Sequence, residues 1–176
     1  SAGCSVLAEH MIAFGASGPT PKQRMGQMAA GLGLVPGVIL DQHFGQRNRY
    51  GRLLALVAQS PSLLGIGVDE DTAAVIEGSQ LTVVGKGAAT IMDGSLAFSD
   101  AATAKQTAPV LVSGVKLHVL PAGHRFDLAN RVYLPAPPRI PAAERLELQA
   151  ATESLQQLAR DIASEGANPN DFARNK

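Results

Sequence analysis

Two short apolar runs, each ending abruptly in polar residues, constrain this chain more than any other feature. Gly37-Val-Ile-Leu-Asp41 and Leu64-Gly-Ile-Gly-Val68 are too short for helices and too continuously apolar for half-exposed strands. Both therefore read as strands buried on two faces. Between them, residues 47 to 59 (RNRYGRLLALVAQ) return to helical spacing, with Leu53, Leu54, Leu56 and Val57 inward and Pro61 closing the helix. Strand, helix and strand in that order predict a parallel pair with a right-handed crossover, whose strand C-termini gather functional groups at one edge.

Around this unit the chain reads as follows. Residues 2 to 15 hold Val6, Leu7, Met11 and Ile12 near helical spacing, with Gly15 and Gly18 as a stop, and predict a helix starting almost at Ser1. Thr72 to Ile76, Leu81 to Val84 and Thr90 to Met92 are short β-rich runs separated by glycines, a meander. Residues 97 to 109 read as a surface loop or helical turn, and Leu111 to Leu120 and Val132 to Leu134 as strands. Pro135 to Pro141 (PAPPRIP) is a stiff connector. Residues 142 to 165 form an amphipathic helix with Leu146, Leu148, Leu155 and Leu158, and 166 to 176 a polar tail that frays. There is no internal repeat, and residues 1 to 176 read as part of a single α/β domain.

Composition excludes several functions. Fifteen basic residues balance fifteen acidic ones, so no overall field draws in nucleic acid or an anionic membrane. No run approaches the roughly 20 apolar residues of a spanning helix, and nothing resembles a signal peptide. With no Trp and few aromatics, the core must come from Ala, Leu, Val and Ile. The single cysteine, Cys4, permits neither an internal disulfide nor a thiolate metal cage and fits a reducing, cytoplasmic setting. Its expected role is that of a small buried hydrophobe.

Three clusters carry candidate chemistry. Ser1-Ala2-Gly3 heads the predicted first helix, where a hydroxyl can face a cleft while the Ala2 N–H serves as an oxyanion donor at the positive helix end. Serine is equally a favoured N-cap, so that hydroxyl has two readings. Asp41-Gln42-His43-Phe44 follows the first buried strand. His43 suits a general base, since imidazole titrates near neutrality and its two nitrogens can bridge a hydroxyl and a carboxylate; a structural histidine is the plainer reading. Glu70, in Asp69-Glu70-Asp71 after the second strand, can orient such a histidine or merely solvate a loop. A metal would need ligands beyond that carboxylate trio. Arg47, Arg49 and Arg52 stand at the start of a predicted helix, where the macrodipole disfavours cations by about 0.3–1 kcal/mol each. An anion should offset them.

The segments SAGCSV, DQHF, QRNRYGRLLALV and LGIGVDEDTA together resemble the cyanophycinases and the related aspartyl dipeptidases, serine peptidases that cleave bonds involving aspartate. The resemblance covers roughly residues 1 to 95, and the DQHF followed by spaced arginines is closer to cyanophycinase. It implies a mainly parallel sheet sandwiched by helices, flavodoxin-like in the manner of class I glutamine amidotransferases, with a β-rich meander after the active-site strands. It also implies Ser1 as nucleophile, His43 as general base and Glu70 as its supporting acid, with no metal or organic cofactor. Asp41, Gln42, Arg47, Arg49 and Arg52 match positions that line a pocket for a β-aspartyl-arginine unit. The arginines would hold substrate carboxylates through forked hydrogen bonds, and an acid would meet the guanidinium.

In this family the nucleophile follows a strand in a Gly-x-Ser-Ala-Gly turn, whereas this sequence starts at the serine. The expectation is autocleavage before Ser1, with the upstream fragment of the same precursor bound as a second chain to cover open sheet edges and supply an oxyanion donor. A homodimer or a dimer of heterodimers is expected as the assembly. Two alternatives stand beside hydrolysis of β-aspartyl peptides. One is a non-catalytic binding subunit that keeps an aspartyl or arginyl pocket. The other is an enzyme that uses the Ser1 α-amine as base and processes mainly its own precursor.

Overall fold

A computed structural model describes residues 1–135 and 142–164 of the protein. Residues 136 to 141 of the expected connector Pro135 to Pro141, and the polar tail from 166, lie outside them. Ser1–Ala136 forms one compact unit and Pro137–Lys176 another.

The first unit opens with a single helical turn, α1 (Ala2–Ser5), and there departs from the predicted long helix. The chain extends instead into β1 (His10–Gly15), which pairs antiparallel with β2 (Gly26–Ala30). The helical spacing of Val6, Leu7, Met11 and Ile12 is overridden because only Ile12 of β1 is buried, and the ladder with β2 satisfies the backbone that a helix would have satisfied internally. Neither strand has a strong β signal of its own.

The strand-helix-strand unit forms as expected. β3 (Val38–Gln42) and β4 (Leu64–Val68) pair in parallel, Leu40 opposite Ile66 and Gln42 opposite Val68, with α2 (Tyr50–Gln59) as the crossover. The meander follows as β5 (Thr72–Glu77), β6 (Gln80–Gly85) and β7 (Ala88–Asp93). A two-stranded ribbon, β8 (Phe98–Ser99) with β9 (Val112–Ser113), precedes β10 (Lys116–Pro121), β11 (Arg125–Asp127) and β12 (Val132–Leu134). The predicted strand from Leu111 to Leu120 is thus broken into β9 and β10 at Gly114, whose φ is +83°.

Sheet direction differs from the mainly parallel arrangement expected. The central sheet runs β10-β7-β4-β3, and only β3 with β4 is parallel; β4 with β7 and β7 with β10 are antiparallel. Tight hairpins, in place of a crossover helix, lead onward from β4, so the chain returns to the sheet in the opposite sense. The hairpins also build a second, antiparallel sheet, β12-β11-β6-β5.

The central sheet is packed on both faces, by α2 on one and by the second sheet on the other. Val38, Leu40, Leu64, Ile66, Val68 and Ile91 face Leu81, Val83 and Phe126, while Ile39 and Met92 face Leu53, Leu56 and Val57 of α2. Each strand sends alternate residues to opposite faces. On the α2 side β4 offers only Gly65 and Gly67. A Cβ at Gly65 would lie 2.6 Å from Val57, and one at Gly67 would lie 2.3 Å from the Phe44 ring, so the bare backbone sets how closely helix and loop approach.

The second unit contains α3 (Ala142–Ser164), with Leu155, Leu158 and Ile162 at helical spacing. No helix among the described residues is long and apolar enough to cross a membrane.

Candidate active site

Because β3 and β4 are parallel neighbours, the loops that leave their C-terminal ends lie side by side. Three hydrogen bonds join them: the Phe44 N–H donates to Val68 O at 3.1 Å, the Gly45 N–H to Asp69 Oδ1 at 2.9 Å, and the Glu70 N–H to Gln46 Oε1 at 3.1 Å. Phe44 is fully buried behind the loop, over Gly67 and 4.6 Å from the Tyr50 ring centroid. On this frame His43 has φ +46° and Asp71 φ +52°. Side chains other than glycine seldom enter that left-handed region, and such residues gather at functional sites.

The turn delivers His43 to Glu70. Nδ1 of His43 lies 2.8 Å from Glu70 Oε1. With Nδ1–H donated to the carboxylate, Nε2 is left as the acceptor, the tautomer a general base requires. The His43 side chain is 23% exposed and that of Glu70 51%, so both reach solvent without leaving the frame.

Both residues line a cavity of about 710 Å³ whose wall also includes Ser1, Gln42, Asp69 and Asp71. Leu7, Leu40, Val68, Ala74 and Ile76 supply its apolar side. Ser1 occupies the N-cap position of α1, but its hydroxyl makes no capping bond and is free for other work. Ala2 opens the helix, where first-turn N–H groups have no intrahelical acceptor. Cys4 lines the same cavity; burial pushes its thiol pKa up against the opposing pull of the Ser1 ammonium, so the thiolate is disfavoured.

Gln42 shares the cavity with this pair, but its predicted companions do not all follow. Asp41 is fully buried and accepts hydrogen bonds from Arg52 Nε at 2.9 Å and from Arg52 Nη2. It also accepts from Arg49 Nη1 at 3.3 Å and from the Gln42 N–H at 2.8 Å. Arg49 and Arg52 are only 7% and 4% exposed, and neither lines the cavity. The anion that offsets these two cations is therefore Asp41 of the chain itself, in place of the substrate carboxylate expected from the sequence. Arg47 remains exposed on the loop.

The acidic trio also separates. Asp69 is occupied by the N–H groups of Gly45 and Ala88, Glu70 by His43, and Asp71 by Lys86 at 3.3 Å. Three carboxylates with three different partners do not converge on a cation, and no group of three or more His, Cys, Asp or Glu suited to a metal occurs among the described residues.

Residues 1–84 match the model of the family described as Peptidase family S51, a stretch that contains Ser1, His43 and Glu70. Over that stretch the chain is similar to peptidase family S51. Curated relatives carry the match further. A protein named cyanophycinase from Trichormus variabilis is 49% identical over 142 residues, 80% of this chain and 48% of its own length. Cyanophycinase from Geminocystis herdmanii is 43% identical, over 72% of this chain and 47% of that protein. Cyanophycinase from Synechococcus elongatus is 39% identical, over 73% and 40%. The chain spans about half the length of the curated relatives it matches.

Within the S51 stretch, some residues that shape the site have no sequence signal of their own. Gln46 and Asp69 lock the two loops together, and Gly67 admits Phe44; each acts through a partner more than 20 positions away. The Gln46 amide and the Gly67 hydrogen acquire a role only through the parallel pairing of β3 with β4.

Proposed function

We propose that the protein is a serine peptidase of the cyanophycinase type, hydrolysing β-aspartyl bonds such as β-Asp-Arg through an acyl-enzyme. The observation that carries this reading is the 2.8 Å contact between His43 Nδ1 and Glu70 Oε1, on a cavity wall shared with Ser1. Ser1 Oγ attacks the carbonyl carbon as His43 Nε2 takes the hydroxyl proton, and Glu70 stabilises the resulting imidazolium. The Ala2 N–H stabilises the developing oxyanion at the positive end of α1. His43 then protonates the leaving amine, and water, activated by the same imidazole, releases the acyl group. In this reading Gln42, on the cavity wall, meets the aspartyl portion, Arg47 reaches it from the exposed loop that follows His43, and Asp71 on the wall meets a guanidinium.

The relatives are about twice as long as the stretch they share with this chain, and among the described residues β3 has no neighbour on its outer edge in the central sheet. In the proposed enzyme that edge is paired by further sequence of the same protein, which also contributes to the oxyanion site.

The reading is tested by incubating the intact protein with β-Asp-Arg and with its α-linked isomer. Release of arginine from the β-linked dipeptide, together with labelling of Ser1 by a fluorophosphonate, is the expected result. Binding of the dipeptide with neither release nor labelling would make this a binding subunit.

His43→Asn separates chemistry from backbone strain. Asparagine tolerates positive φ, so this variant should melt close to the parent, whereas His43→Ala should melt lower than His43→Asn. Both should lower kcat/KM by about 10²–10⁴-fold, and Glu70→Gln should lower it less, because the base survives. Parent-level hydrolysis by His43→Asn would transfer the base role to another group, such as an α-amine at Ser1.

A further inference from the structure

Arg49 holds a place in the fold that contact with substrate does not explain. Its backbone N–H donates to Phe44 O at 3.0 Å, and its Nη1 donates to Gln42 O at 2.5 Å. Those carbonyls belong to the residues immediately before and after His43. One arginine thus grips the main chain on both sides of the residue held at φ +46°. The carbonyl of His43 is itself taken by the Arg47 N–H at 3.0 Å, so the whole turn from 42 to 44 is tied to the start of α2.

The guanidinium is well placed for this task. It is planar, and Asp41 fixes the plane by accepting from the same Nη1 at 3.3 Å. Asp41 is in turn held by both donors of Arg52 and by the Gln42 N–H. Arg49 is buried beneath the loop, away from the cavity lining. Burial, with Arg52 close by, draws its pKa below the ordinary arginine value, and Asp41 opposes that shift.

We propose that Arg49 is a positioning residue for the general base: it holds residues 42 to 44 in the left-handed turn that aims the His43 imidazole at Glu70. This rests on the reading of His43 as base, and it gives Arg49 a role distinct from holding a substrate carboxylate.

The test uses Arg49→Lys, which keeps the charge but replaces the planar guanidinium, with its fixed donor directions, by a freely rotating ammonium, and Arg49→Gln, which keeps an N–H donor without the charge. Two quantities are read on each: kcat and KM for a β-aspartyl dipeptide, and the His43 Nδ1–H proton resonance in the ligand-free protein, assigned by its loss in Glu70→Gln. The expected result is a fall in kcat of about 10–100-fold in Arg49→Lys with KM changed less than about twofold, and a shifted or lost His43 resonance. Arg49→Gln should recover part of that resonance. A rise in KM with kcat and the resonance unchanged would make Arg49 a substrate ligand and overturn the proposal. A lower melting temperature with kcat and the resonance unchanged, or loss of folding in both variants, would make it purely structural and also overturn it. The resonance is read without turnover, so failure of the peptidase reading would show as activity surviving Ser1→Ala and would leave this result separate.

Discussion

Ser1→Ala is expected to abolish hydrolysis in the intact protein, lowering kcat by about 10⁶-fold, the scale seen when the nucleophile of a serine peptidase is removed. The fold should be untouched. Ser1 is exposed and its hydroxyl caps nothing, so its removal strips no contact from the core and should change stability by less than about 0.5 kcal/mol. The pairing of these two outcomes makes the result informative: an inactive protein with an unshifted melting curve has lost chemistry and nothing else. The nearest competitor for the role is Cys4 on the same cavity wall, but burial raises its pKa and so disfavours the reactive thiolate. Activity that survives Ser1→Ala and is then blocked by iodoacetamide would show the thiol to be the nucleophile. Survival without such a block would remove the acyl-enzyme altogether.

That experiment bears on a pair of side chains, His43 and Glu70, whose proximity is legible in the amino-acid sequence, and the reason is topological. Each of the two follows a short run that is apolar on both faces, and two such runs linked by a helix lie parallel, so their downstream loops must be neighbours. The 2.8 Å contact between them follows from that constraint. The strands β1 and β2 are not legible in the same way, because their formation depends on each other: His10 to Gly15 buries only Ile12, and its spacing fits a helix until Gly26 to Ala30 lies beside it. Sheet direction escapes a sequence reading for a related reason. Counting strands and helices up to Val68 gives a parallel pattern, but the hairpins that replace a crossover helix after β4 reverse the next strand in the sheet. The arginines show the limit of a purely electrostatic argument. The helix dipole correctly requires an anion near Arg49 and Arg52, yet spacing cannot tell whether that anion is a substrate or Asp41, which stands at the end of β3 facing α2.

Asp41→Asn is therefore expected to damage the protein more than any substitution on the cavity wall. The carboxylate is fully buried and satisfies Arg52 through two donors, Arg49 through one, and the Gln42 N–H. Asparagine keeps the volume but removes the charge, leaving two buried guanidinium groups with no counter-ion. Breaking a buried ion pair from one side costs about 3–5 kcal/mol, a large fraction of the roughly 5–15 kcal/mol that holds a domain together. For a unit of this size the melting temperature should fall by about 10–20 °C. Activity should fall with it even where the protein is folded, since Asp41 fixes the plane of the guanidinium that donates to Gln42 O beside His43. Arg52→Gln alone should also destabilise, but combining it with Asp41→Asn should cost less than the sum, by about 0.5–3 kcal/mol, because the second change removes one of the two stranded charges. Strict additivity, or a single-variant loss under about 1 kcal/mol, would show that solvent reaches the cluster and that these arginines are free to meet a ligand after all.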